Sequence, residues 1–121
     1  MLKFTNNINT FPSLPTRNGY GDALFELGNT TQDVVILTAD LTESTRVDKF
    51  AKAFPDRFFN CGVAEQNMMS IAAGLAVEGK IPFISSYAVF SPCRNWDQLR
   101  VNVCYNNANV KIQIHFLDIN P

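Results

Sequence analysis

Glu65 opens the segment Gly62–Ala76, "GVAEQNMMSIAAGLA", whose remaining residues are mostly apolar. A carboxylate there invites two readings. It is a first-turn acid stabilised by the helix dipole, or it shares a proton with a ligand nitrogen. Burial among Val63, Ala64, Met68 and Met69 disfavours a charged carboxyl, whereas a helix N-terminus favours it, and a group held between such effects suits proton exchange. Tyr87 and Phe90, three residues apart, either pack in the core or form a stacking wall for a flat heteroaromatic ring. Asp40 ends the run "DVVILTAD" and is either a turn or N-cap residue or a polar contact to a ligand. Arg17 is a solvated arm residue or grips an anion, phosphate above all, and Ser44 could add its hydroxyl to that grip.

The elements that must position these residues follow from hydrophobic spacing. Tyr20, Ala23, Leu24 and Leu27 give a helical stripe, with Gly28-Asn29 as its expected cap. Val34–Leu37 is a short continuous apolar run, suited to a strand buried on both faces. Val47, Phe50, Ala51 and Phe54 repeat the helical spacing until Pro55. Arg57–Cys61 reads as a strand. A helix from about Ala64 to Glu78 follows, closed by Gly79. "KIPFISS" is a third strand, with Pro82 near its start. Trp96, Leu99 and Val103 mark another helix, and "NVKIQIHF" a fourth strand.

This alternation predicts an α/β fold, a parallel sheet with helices on both faces. In such sheets ligands bind beyond the carboxyl ends of the strands. Asp40, Thr42, Glu43 and Ser44 follow the first strand, Gly62 and Glu65 the second, and Ser85, Ser86, Tyr87 and Phe90 close the third. The candidate residues are therefore expected along one sheet edge.

The bulk numbers fit one globular domain. The chain has 121 residues, 46% of them hydrophobic and 17% charged, with a formal net charge of −1. That charge gives no footprint for nucleic acid, and no apolar run approaches the ~18 residues of a membrane span. The first residues lack the apolar core of a signal peptide. Cys61, Cys93 and Cys104 are widely spaced and His115 is the single histidine, which argues against a disulfide framework or a Cys/His metal site. A reducing cytoplasm is the expected location.

The stretch "FPDRFFNCGVAEQNMMSIAAGLAVEGKIPF", with "TRNGYGDALFELG", "DVVILTADLTEST" and "FSPCRNWDQLR", resembles the pyrimidine-binding domain of transketolases. It is most similar to the split form, in which this domain begins a separate C-terminal subunit. The similarity runs from about Thr16 to Ile112. The resemblance implies a thiamine-diphosphate-binding fold and a cofactor shared with a partner subunit that holds the diphosphate and its Mg2+ or similar ion, in a dimer or heterotetramer. It implies that Glu65 hydrogen-bonds the aminopyrimidine nitrogen and favours the imino tautomer that deprotonates the thiazolium carbon. Phe90 would stack on the ring, Tyr87 would be its aromatic neighbour, Asp40 would lie near the cofactor, and Arg17 and Ser44 would bind the sugar phosphate. Arg94 receives no role. The implied activity is transfer of a two-carbon ketol unit between sugar phosphates in carbohydrate metabolism (the pentose phosphate pathway). "ADLT" and Arg17 favour transketolase over deoxyxylulose-phosphate synthase, and the E1 β subunits of oxo-acid dehydrogenases are more distant. After "NVKI" the pattern departs from the "ATHAG"-like continuation, so His115 takes over no role. The expected division is an arm at 1–15, a partial domain at 16–114 and a divergent tail at 115–121. A non-catalytic, partner-binding chain is the alternative expectation.

Overall fold

A computed structural model describes residues 14–116; the arm before Leu14 and the tail after Phe116 lie outside the described residues. The elements are α1 (Thr16–Thr30), β1 (Val34–Thr38), α2 (Asp48–Ala53), a 3₁₀ turn (Pro55–Arg57), β2 (Phe58–Asn60), α3 (Glu65–Val77), β3 (Ile81–Tyr87), α4 (Trp96–Gln98) continuing as a π-helical segment (Leu99–Cys104), and β4 (Lys111–His115). The strands pair in parallel in the order β2-β1-β3-β4.

All five residues of β1 are buried, because the central strand is covered on both faces. Val35, Leu37 and Ala39 face Met68, Met69, Ala72 and Ala73 of α3, with Ile84 and Val103. Val34 and Ile36 face Leu24 of α1, Phe50 of α2 and Val47 just before α2. The side chains alternate between the two layers as the strand period of two requires. Each large apolar side chain so buried contributes on the order of 1.5–3 kcal/mol.

Two expectations need correction. Gly28 does not cap α1; it is buried inside the helix, where an added Cβ would meet the Phe54 ring at 2.5 Å and the Phe50 ring at 2.6 Å. The buried stripe of α1 is Gly21, Leu24 and Gly28, and Ala23 is exposed. The end of α1 is secured instead by Arg57, whose guanidinium donates to the carbonyls of Thr31 (2.9 Å) and Gly28 (2.8 Å) and lies over the Phe54 ring. It thereby satisfies acceptors that a helix C-terminus leaves open. Trp96 is not a core residue: it is 62% exposed, while Val103 makes the buried contact. The fourth strand expected from "NVKIQIHF" is present as β4, which runs to His115.

Gly79 does close α3. Its φ of 88° is left-handed, and Lys80 N–H donates to Leu75 O at 2.9 Å, one bond of the Schellman pattern.

Candidate functional site

The carboxyl ends of the strands carry the candidate residues. In register, Thr38 of β1 pairs with Asn60 of β2 and Ser85 of β3, and Tyr87 pairs with His115 of β4. β3 therefore reaches two residues beyond the end of β1, and β4 accompanies it as far as Tyr87.

Glu65 is the first residue of α3 and only 4% exposed. The loop after β3 folds over it. Arg94 Nη1 donates to Glu65 Oε1 at 3.0 Å, and the buried Asn95 donates through Nδ2 to the Glu65 carbonyl at 3.1 Å. Asn95 also exchanges a hydrogen bond with the buried Ser91 hydroxyl. The Arg94 guanidinium lies 4.4 Å from the centre of the Phe90 ring. Glu65, Arg94, Val63, Ala64, Gln66 and Asn67 line an open depression.

A second depression lies beyond Tyr87, lined by Arg17, Glu43, Ser44, Arg46 and Tyr87. It brings together the two residues read as a phosphate grip, Arg17 and Ser44, and adds Arg46. The Nε of Arg17 is buried and has no hydrogen-bond partner among the described residues. Gly21 sets this geometry: an added Cβ there would meet the Arg46 carbonyl oxygen at 2.2 Å, so only glycine lets α1 press onto that backbone. The Tyr87 ring stands edge-on to that of Phe90, with centroids 6.4 Å apart.

Asp40 stands slightly apart. It is exposed, holds a left-handed φ of 61°, and its backbone N–H donates to Asn60 Oδ1 at 3.0 Å. The same oxygen accepts the Gly62 N–H at 3.1 Å, so Asn60 ties the turns after β1 and β2 together. Non-glycine residues held in left-handed conformation concentrate at ligand sites; Arg46, with φ 63°, is another here. The sequence gives no signal for Asn60, Asn95 and Arg46 and assigns Arg94 no role, since their partners are distant along the chain.

Behind the second depression, Tyr20 shares a hydrogen bond with the buried Ser85 hydroxyl at 2.7 Å and meets His115 edge-on. Burial pushes the Tyr20 phenol up to about 12. The folded state thus holds the proton more tightly than the unfolded chain, so its stabilisation is complete below pH 10 and lost as pH rises from 10 through 12. The expected loss is about 1–3 kcal/mol, read as a drop in urea midpoint between pH 9 and 12 that Tyr20→Phe does not share. Burial, then the nearby Arg17 charge, lowers the proton affinity of His115.

Among the described residues, no cluster of His, Cys, Asp or Glu is placed to hold a metal ion. No described helix is long and apolar enough to cross a membrane.

This arrangement, a first-turn glutamate beneath an aromatic loop at a parallel sheet's carboxyl edge, coincides with a family match. The domain described as "Transketolase, pyrimidine binding domain" matches residues 12–117. The chain belongs to the transketolase pyrimidine-binding domain family. It is 54% identical over 96 residues to a protein of Methanocaldococcus jannaschii named "Putative transketolase C-terminal section", covering 79% of this chain. It is 42% identical over 96 residues, again 79% of this chain, to the 6-deoxy-6-sulfo-D-fructose transketolase subunit SqwH of a Clostridium species. The chain spans 30% of the length of each of these relatives. A solved split-gene transketolase, described as an inactive beta4 tetramer, superposes with a TM-score of 0.77 at 51% identity, over 85% of this chain and 34% of that one. The transketolase pyrimidine-domain fold thus accounts for the parallel sheet and for the position of Glu65 at its edge.

Proposed function

We propose that this chain forms the ring-binding part of a thiamine-diphosphate-dependent transketolase, which transfers a two-carbon ketol unit between sugar phosphates. It would act in assembly with a subunit that holds the diphosphate and its Mg2+ or similar ion. The observation that carries the reading is the pairing of a 4%-exposed Glu65 carboxylate with a planar, hydrogen-bond-donating group laid on the Phe90 face. An aminopyrimidine carrying a proton on its ring nitrogen asks for the same two things, an aromatic face and a carboxylate acceptor, so the residues present fit it.

When bound, the cofactor supplies the carbanion chemistry, while the protein supplies orientation and electrostatics. Glu65 would share a proton with the ring nitrogen, and its carboxylate would accept the hydrogen bond once that proton resides on the nitrogen. Phe90 would stack on the ring, with Tyr87 and Asp40 bounding it. Arg17 and Ser44 would grip the sugar phosphate as a charge-assisted pair. The exposed Val63, Ile71 and Val77 around α3 (70%, 38% and 67%) offer apolar surface for the partner subunit. A cytoplasmic place in carbohydrate metabolism fits this reading.

Reconstitution tests it. The chain mixed with a diphosphate-binding transketolase subunit, thiamine diphosphate and Mg2+ is expected to transfer two-carbon units from a ketose phosphate to an aldose phosphate. A folded mixture that binds partner but transfers nothing would instead identify a non-catalytic binding module.

A further inference from the structure

We propose that Arg94 is a positioning residue that fills the ring slot of the cofactor-free chain and is displaced when the aminopyrimidine enters. The inference rests on the ring-binding reading of Glu65 and Phe90 and adds a competitor built into the same site.

Three observations carry it. The Arg94 guanidinium lies 4.4 Å from the Phe90 ring centre and donates to Glu65 Oε1 at 3.0 Å. It therefore uses both surfaces the ring would need, and the two groups cannot occupy them together. The two ends of the pair also differ in freedom. The Glu65 side chain is 5% exposed and rooted in the first turn of α3, whereas that of Arg94 is 50% exposed. Arg94 can swing towards solvent; Glu65 cannot. Lastly, Arg94 N–H donates to Phe90 O at 3.0 Å, so both residues ride on one turn and the guanidinium stays close to the slot after it leaves.

The latch has a function in each state. Without ligand it gives a buried carboxylate a partner, which such a group needs. With ligand, a half-exposed ion pair is weak enough to be exchanged. The apparent affinity for the ring is then lowered by the fraction of chains in which the slot is free.

Arg94→Met removes the donors but keeps an apolar chain beside Phe90; Arg94→Lys keeps the charge without the planar fork. Thiamine diphosphate with Mg2+ is titrated into the assembled complex and followed by calorimetry. Arg94→Met is expected to bind roughly fivefold more tightly than the wild type, with Arg94→Lys between them. In the cofactor-free chain, Arg94→Met should lower Tm slightly, and by less in a Glu65→Gln background, where only a neutral acceptor is left to lose its donor. Unchanged or weaker cofactor binding by Arg94→Met would overturn the displacement while leaving the site reading intact. A wild-type complex that binds no thiamine diphosphate would overturn the site reading itself.

Discussion

Glu65→Gln in the assembled protein is expected to lower two-carbon transfer by a factor on the order of 10²–10⁴, the range for losing a positioned acid–base group. Glutamine keeps the size of the side chain and can still meet Arg94, but it neither carries the charge nor holds the proton that the ring nitrogen requires. Fold damage would not explain such a loss. The pair being broken has one half-exposed member, and pairs of that kind contribute about 0–1 kcal/mol. The Asn95 bond goes to the Glu65 backbone and survives the substitution. The variant should therefore melt within a few degrees of the wild type and bind its partner normally. Steady-state transfer between sugar phosphates measures the effect, and turnover equal to wild type would remove Glu65 from the chemistry.

Gly21→Ala is expected to be the most damaging single-methyl change. The new Cβ would fall 2.2 Å from the Arg46 carbonyl oxygen and 2.9 Å from the Arg46 Cβ. The first of these is backbone, so α1 or the turn after β1 must move. Overpacking of this sort costs about 1–3 kcal/mol, a fall in Tm of roughly 5–20 °C for a domain of this size. Gly19→Ala is the control, two residues earlier in the same helix, where an added Cβ meets nothing within 4 Å. There alanine should stabilise by up to about 1 kcal/mol through helix propensity. Under the proposed function Gly21→Ala also separates Arg17 from Ser44 and Arg46, so KM for the sugar phosphate should rise more than kcat falls. Thermal melts of the two variants, with kinetics on the assembled complex, check both parts. Equal melting temperatures would contradict the close approach of α1.

Much of the frame was legible because it depends on local pattern. An unbroken "VVIL" run allows little besides a strand covered on both faces, and β1 is that strand. The alternation of helix and strand predicted a parallel sheet, and its carboxyl edge gathered Glu65, Tyr87, Phe90 and Ser44. The errors arose where distant parts of the chain meet. Gly28 resembles a cap in sequence, yet it is glycine because Phe50 and Phe54 approach it. Trp96 fits a helical spacing but points outward. Arg94 and Asn95 acquire meaning only when the loop after β3 closes on α3, a contact spanning about thirty residues that no periodicity encodes.

The strand order β2-β1-β3-β4 has one more consequence. The chain leaves β1 for α2 on one face of the sheet, and leaves β3 for α4 and its π-helical continuation on the other. The two exit loops must part above Thr38 and Ser85, and a topological switch point opens there without any side chain being spent to carve it. Loop sequence at this fork can consequently change, along with what the fork grips, while the paired backbone beneath it stays the same.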